Sequence, residues 1–532
     1  MTSDDRRARR WHRRPSIRLT LRSLLRPSRF GLVGILGIGV NALALLLITE
    51  VFGIHYAISA ILASQVSTLH NFVLTETWVF HGRNTNSHLL VRYLAFNALN
   101  IATLFVRVPV LLLFTEVAGL HYLVSNLIAI GLTFGIRYLI ADNWIWAGRD
   151  YREQEEHDGW YSYDVHGLVR LRSRVALPEL ASFNVASVPE PDIVVDRRFL
   201  LGGGPRLGRL VESRDGVIRY REHFGALSAA FDVRLGDRLD VRANWLLTWS
   251  HHVLYTNLVE PLLRFMLASR GSVLLHCASL DADRGAVLLS AKTDTGKTST
   301  LLRLLMQRSW AFMGDDMAIV MPTGRTLSYP KPMTLSSHTM SAVSGDALPT
   351  ADRIMLAIRS RVHSKSGRSI GQSLARMPLP IVTINATLQL LIPPPKYHVN
   401  SLVDCDTTTE APIDAVILME RGEPVREEVE MEATLDRLLE NTEDAYTFPP
   451  FGWLAPLLTF DGLDVTALRQ RERDLLRSAI SDAMLIRLRV VGHEWSTLIP
   501  EIVGRGDPAT GIPVVADELE PAAPTPSAGA PG

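Results

Sequence analysis

Nine consecutive residues carry the densest chemistry in the chain: Ala291-Lys292-Thr293-Asp294-Thr295-Gly296-Lys297-Thr298-Ser299. A Gly-Lys-Thr triplet that opens a helix suits phosphate. Unpaired backbone N–H groups of a first helical turn attract anions, the lysine brings a point charge to the β/γ-phosphates, and the threonine hydroxyl can ligate Mg2+. The chain has five lysines, so composition alone yields roughly 0.04 such triplets. The first glycine of the usual phosphate-loop pattern is Ala291 here. Downstream, Asp315 and Asp316 interrupt the apolar run Ala311–Val320. Adjacent carboxylates inside a strand are disfavoured by propensity and by mutual repulsion, and a cation would account for them. One carboxylate on Mg2+ and one at an acceptor hydroxyl is what phosphoryl transfer requires. The bland alternative is a tight turn at Gly314-Asp315. His276, fifteen positions before Ala291, closes a strand.

The elements that must position these residues follow from the apolar pattern. A helix is expected at about 254–269, strands at Ser272–Cys277 and Gly285–Ser290, and a helix at Ser299–Gln307. The second strand is continuously apolar, as a strand buried on both faces should be. Helices at about 431–441 and 466–484 and a strand at Ile486–Val491 complete this unit. Before it, residues 162–250 alternate in short apolar and polar runs, which predicts a β-rich subdomain.

His276, the loop and the Asp315-Asp316 pair together resemble HPr kinase/phosphorylase, whose nucleotide fold is shared with phosphoenolpyruvate carboxykinases. The resemblance covers about 271–321 well. It implies that the loop from Ala291 to Ser299 binds ATP, that Lys297 and Thr298 hold nucleotide and Mg2+, that Asp315 and Asp316 divide base and metal-ligand roles, and that His276 assists.

Further basic residues fit a phosphorylated partner. Lys331 is held rigidly in Tyr329-Pro330-Lys331-Pro332-Met333, and Lys365 and Arg368 lie in a basic stretch, 353–376, that reads as a mobile loop over the site or facing anionic lipid. A solvated charged face is the alternative. Arg outnumbers Lys 50 to 5, so a retained lysine marks places where a compact ammonium is required. That argument ranks Lys331 first and Lys292 second after Lys297, and gives Lys396 no role.

The first 150 residues read as membrane-embedded. Apolar runs at about 30–52, 56–75, 93–115 and 121–141 each approach the ~20 residues that span a bilayer. Arginines cluster before the first run, between the second and third, and after the fourth, which predicts cytoplasmic termini. Thr49-Glu-Val-Phe-Gly-Ile-His-Tyr56 returns as Thr115-Glu-Val-Ala-Gly-Leu-His-Tyr122, an offset of 66, so two parallel two-span repeats are expected. Asn41, Asn71, Arg107 and Arg137 are costly inside spans and are candidate contacts to an anionic head group; helix–helix glue is the alternative. Arg29-Phe30-x-x-Val33-Gly34, Asn41 and Asn71-Phe72…Trp78-x-Phe80 resemble the GtrA-like four-span family, over about 29–148. That resemblance implies handling of polyprenyl-phosphate-linked sugars for cell-surface polysaccharide.

Mean hydropathy of +0.13 excludes a chain embedded throughout, and 47% hydrophobic content excludes a disordered one. Two cysteines exclude a disulfide scaffold and a cysteine-rich metal site. The expected architecture is therefore multidomain: a basic N-terminus (1–29), a four-helix transmembrane bundle (30–148), a linker (149–161), the β-rich subdomain (162–250), a cytoplasmic α/β P-loop domain of HPr kinase/phosphoenolpyruvate carboxykinase type (251–504) and a disordered tail (505–532). The expected setting is a bacterial inner membrane. Expected partners are a polyprenyl-phosphate-linked sugar or a glycosyltransferase, membrane lipid and an unidentified phosphate acceptor, with no nucleic acid. A kinase acting on an alcohol group is the first reading. The alternative is a non-catalytic nucleotide sensor or anchor that regulates a glycosyltransferase or glycolipid flippase.

Overall fold

The computed structural model describes residues 26–81, 89–146, 154, 156–198, 200, 207–224, 227–282, 284–292, 295–307, 309–334, 339, 380–391, 394, 396–443 and 449–504. Thr293, Asp294, Lys365, Arg368, the rest of the basic stretch 353–376, the basic N-terminus before Arg26 and the tail after Gly504 lie outside the described residues.

The N-terminal region contains four helices long and apolar enough to cross a membrane: α1 (Arg26–Leu46), α2 (Tyr56–Leu74), α3 (Leu89–Leu112) and α4 (Tyr122–Ile140). Each ends in a five-residue π turn, at Leu47–Val51, Thr75–Val79, Leu113–Val117 and Ala141–Ile145. The turns carry two of the spans past the ends of the apolar runs, to Val79 and Val117. The octapeptide repeat is a helix-connection device. Gly53 and Gly119 adopt left-handed backbones, with φ of 65° and 66°, which glycine allows without strain. His55 and His121 then cap α2 and α4 by accepting the Ala57 and Leu123 N–H groups on Nδ1 at 3.3 Å. In α2 the buried small residues are Ser59, Ala63 and Ser67; in α4 they are Ser125, Ala129 and Thr133, each 66 positions later. Small residues let helix backbones approach closely: α1 packs on α2 and α3 on α4. The Ser67 hydroxyl donates to Gly37 O at 2.7 Å. The buried cluster at one end of the bundle repeats too: Phe30/Phe96, Val33/Leu99, Phe72/Tyr138, Val79/Ile145 and Phe80/Trp146.

The C-terminal part is β-rich. A first sheet has β1 (Glu156–His157), β2 (Trp160–Val165), β3 (Val169–Ser173), β4 (Asn184–Val185), β5 (Ile193–Arg197), β6 (Leu207–Arg214), β7 (Val217–Phe224), β8 (Leu227–Arg234) and β9 (Leu239–Ala243), in the order β1-β2-β3-β5-β9-β8-β7-β6, with β4 on β2. It starts at Glu156, ahead of the expected 162. Short helices α5 (Trp245–Trp249) and α6 (His251–Leu254) and the longer α7 (Glu260–Ser269) follow.

The second sheet contains β10 (Val273–Leu275), β11 (Ala278–Asp281), β12 (Ala286–Ala291), then, after α8 (Lys297–Leu305), β13 (Ala311–Gly314), β14 (Ala318–Met321) and β15 (Arg325–Ser328). A two-residue strand β16 (Met333–Thr334) pairs with β17 (Lys396–Tyr397); α9 (Ile381–Leu391) lies between them in sequence. The long β18 (Glu410–Arg421) joins the sheet's two halves. Its start pairs with β15, and its remainder runs parallel to β12 on one side and to β22 (Met484–Val490) on the other; β19 (Val425–Glu428) pairs with β22. A hairpin pairs β20 (Thr459–Phe460) with β21 (Leu463–Asp464). The sheet is covered on one face by α8 and α12 (Trp495–Ile502) and on the other by α10 (Met431–Thr442) and α11 (Val465–Ala479). Double coverage explains why all six residues of β12 are buried.

Two expectations change here. The run Ala311–Val320 is not one strand. β13 ends at Gly314 and pairs with β11, whereas β14 pairs with β10 and β15. Asp315 and Asp316 sit at the corner where the chain passes between the sheet's halves. The helix expected to reach residue 484 stops at Ala479.

Candidate functional site

β12 ends at Ala291, whose methyl group is buried in the core against α8. The chain turns, with the Thr295 hydroxyl donating to Lys292 O at 2.7 Å and Arg421 Nε donating to Thr295 O at 3.0 Å. Gly296 caps α8 at φ 126°, a conformation other residues rarely adopt, and an added Cβ would come 3.2 Å from His493 and Trp495. Lys297 and Thr298 open α8, and the Ser299 hydroxyl returns to Gly296 O at 2.8 Å.

The two side chains that open α8 meet the carboxylate corner. Thr298 Oγ1 donates to Asp315 Oδ2 at 3.1 Å, and Lys297 Nζ lies 3.8 Å from Asp316 Oδ1. Lys297 Nζ also lies 3.2 Å from His276 Nε2. An ammonium only donates, so Nε2 accepts and His276 is neutral. Burial, and then the Lys297 charge, push its pKa well below the usual histidine range. Asp315 is pushed the other way, up to about 7, by burial first and by Asp316 second, against the pull of Lys297. Its Oδ1 is buried with no hydrogen-bond partner. A buried, unsatisfied carboxylate oxygen beside a second carboxylate and a hydroxyl is a set of hard oxygen donors. The residues present therefore fit a Mg2+ ion, with Asp315, Asp316 and Thr298 as its holders. Burial pushes the thiol of Cys277, next to His276, up to about 12.

Lys331 reaches the same place. Its Nζ lies 3.6 Å from Asp316 Oδ2 and 3.3 Å from Glu260 Oε2. Burial opposes its charge, but Glu260, Asp316 and Glu179 outweigh burial and raise it to about 12. Behind it stands a second buried group that the sequence did not expose. Glu179 accepts from Lys396 Nζ and from His252 Nδ1, each at 2.6 Å. Burial alone would raise the Glu179 pKa, yet Lys396 and His252 hold it far below the carboxylate range. Tyr255 and Tyr329 share a hydrogen bond of 2.6 Å beside it. Glu179 precedes β4, His252 lies on α6 and Lys396 on β17; the ammonium groups of Lys297, Lys331 and Lys396 are each held by a carboxylate, on side chains no more than 9% exposed.

The ranking of lysines thus changes. Lys292 is exposed and pairs with Glu440 on α10 at 2.7 Å, on the surface. Lys396, given no role, is buried on Glu179. Its scarcity was the available signal, but its partner stands 217 residues away in sequence.

The candidate residues of the spans are not gathered into one cluster. Arg107 Nη2 donates to Asn126 Oδ1 at 2.8 Å, and Arg137 donates to Asn100 Oδ1. Asn71 lies over Gly37 and meets His70 Nδ1 at 3.3 Å. Asn41 Oδ1 is buried without a hydrogen bond. By the 66-residue offset, Asn41 corresponds to Arg107 and Asn71 to Arg137, so the second repeat alone carries the cations. A bidentate pair was also missed: Arg92 holds Glu76 at 2.6 and 3.1 Å, and Trp146 Nε1 donates to the same carboxylate at 2.7 Å.

Comparison with known proteins places the membrane region. Residues 29–146 match the GtrA/DPMS transmembrane domain family. The same region is similar to a protein described as dolichol-phosphate mannosyltransferase from Pyrococcus furiosus, with 38% identity over 121 residues, covering 22% of this chain and 33% of that protein. The chain therefore spans about a third of the length of the curated relative it matches. With four candidate spans, it is a multi-pass membrane protein.

Proposed function

We propose that the membrane region handles a polyprenyl-phosphate-linked sugar and that the C-terminal part is an ATP-dependent phosphotransferase of HPr kinase-like, P-loop type, acting on an alcohol group at the cytoplasmic face of a bacterial inner membrane. The first half of this reading draws support from the GtrA/DPMS match at 29–146 and from the described activity of the mannosyltransferase relative. The second half rests on one observation: Lys297, Thr298, Asp315 and Asp316 converge within 4 Å at the end of a buried strand.

In this reading the β/γ-phosphates lie over the start of α8, where the N–H groups and Lys297 Nζ face them. His276, kept neutral, orients Lys297 by accepting its hydrogen bond. Asp316, the more open carboxylate, lies between two ammonium groups, Lys297 and Lys331. Asp315 and Asp316 divide between them the roles of metal ligand and of base toward an acceptor hydroxyl. A Mg2+ held by these oxygens would neutralise charge on the phosphates. Ala291 favours a second reading, a nucleotide sensor or anchor regulating a glycosyltransferase or glycolipid flippase.

The test uses the full chain in lipid nanodiscs. Calorimetry should detect Mg·ATP binding that Lys297→Ala abolishes; equal affinity in both proteins would sink the proposal. Labelled ATP with native membranes should yield a phosphorylated product that Asp315→Asn loses. Binding without turnover on any acceptor selects the sensor.

A further inference from the structure

A small apolar face in the β-rich part has no role in the site. On α5, Leu246, Leu247 and Thr248 are buried in the core, which turns Trp245 and Trp249, four positions apart, to the outside. They are 42% and 53% exposed, with ring centroids 6.3 Å apart. Phe224 (46% exposed) and Leu388 (42%) lie on neighbouring elements. Asn244, which caps α5, donates to Ser228 O at 2.6 Å near the Phe224–Leu227 end of the β7–β8 pair. α9, which carries Leu388, is fixed to the same strands by Ala229 N donating to Thr383 Oγ1 at 3.0 Å. Large aromatic side chains are seldom left this open in water, and a half-exposed tryptophan pair matches the amphipathic chemistry of a bilayer interface.

Covalent geometry says which surface is near. The last described residue of the bundle is Trp146. Gln154 is already held in the β-rich part, accepting from Tyr163 OH at 2.7 Å and donating to Leu177 O at 3.1 Å. Eight peptide steps separate them, a reach of at most about 28 Å. From β1, four strand spacings lead through β2, β3 and β5 to β9, which precedes α5, about 19 Å. So short a tether keeps the β-rich part near the bilayer that its own helices cross, with the tryptophan face within range of it.

We infer that Trp245, Trp249, Phe224 and Leu388 form a membrane-docking face that inserts at the lipid head-group boundary and fixes the orientation of the C-terminal part over the bilayer. The test is photolabelling of the full chain in nanodiscs of phosphatidylglycerol and phosphatidylcholine, with a fraction of lipid carrying a diazirine near the glycerol backbone. Mass spectrometry should find lipid adducts on the segment 244–250 and on α9, at levels comparable with the Trp78 segment. Trp245→Glu/Trp249→Glu should lower the α9 adducts several-fold and leave those on α1–α4 unchanged. Absence of adducts on 244–250 in the unmodified chain, while α1–α4 are labelled, overturns the inference. Cross-links from that segment to a second copy or to residues 335–379, in place of lipid, overturn it as well.

Discussion

At the scale of single residues, the buried charges dominate what can be measured. Glu179 is fully enclosed with Lys396 and His252, so Glu179→Gln leaves an unpaired ammonium in the core. Loss of about 3–5 kcal/mol is expected in denaturant titration, and the double variant Glu179→Gln/Lys396→Met should recover most of it. Asp315 has the opposite sign. Its proton is held up to about 7 in the folded chain against an ordinary carboxylate value near 4 when unfolded. Between those values the native state binds the extra proton, so stability falls as pH rises from about 4 to 7 and then levels off. Asp315→Asn should flatten that slope and stabilise the ligand-free protein at pH 8, by a few kcal/mol at most; thermal melting across pH reads it. Lys297 was legible in the sequence because Gly296, Lys297 and Thr298 are contiguous and lysine is rare. The Glu179–Lys396 pair was not, because nothing local marks two residues that meet only through tertiary packing.

Elements were readable where their information is local or repeated. The 66-residue offset shows two copies, and the structure adds the reason: a left-handed glycine and a histidine cap rebuild the same connection twice. The first copy also carries a packing constraint. A Cβ on Gly37 would lie 2.2 Å from Asn71 Nδ2, so Gly37→Ala should weaken α1–α2 packing by about 1–3 kcal/mol, and Asn71→Ala should restore it; detergent-resistance assays of the full chain check both. The split of Ala311–Val320 into β13 and β14 was readable only as the alternative of a turn at Gly314-Asp315. Apolar alternation reports which face is buried, not the point at which a chain leaves one set of partners for another.

Taken whole, the molecule joins a four-helix membrane region to a β-rich part whose strand order arises from distant pairings. Those pairings, such as β12 with β18 and β3 with β5, link segments far apart in the chain and leave no local trace. Their effect on the site is mechanical. β12, which presents the loop, and β15, which leads to Lys331, are both registered on β18. Lys331→Met is therefore expected to leave the sheet intact while disturbing Glu260 and Asp316; unchanged amide exchange in β18 with weakened Mg·ATP binding is the expected outcome. β16 pairs with β17 although α9, packed into the core through Val382 and Ala386, lies between them in sequence. In kinetic terms such a pair is late. Closing a long loop costs chain entropy before a two-residue ladder can repay it, so Lys331, just before β16, and Lys396, on β17, should reach their carboxylate partners only after β12 and β18 have paired.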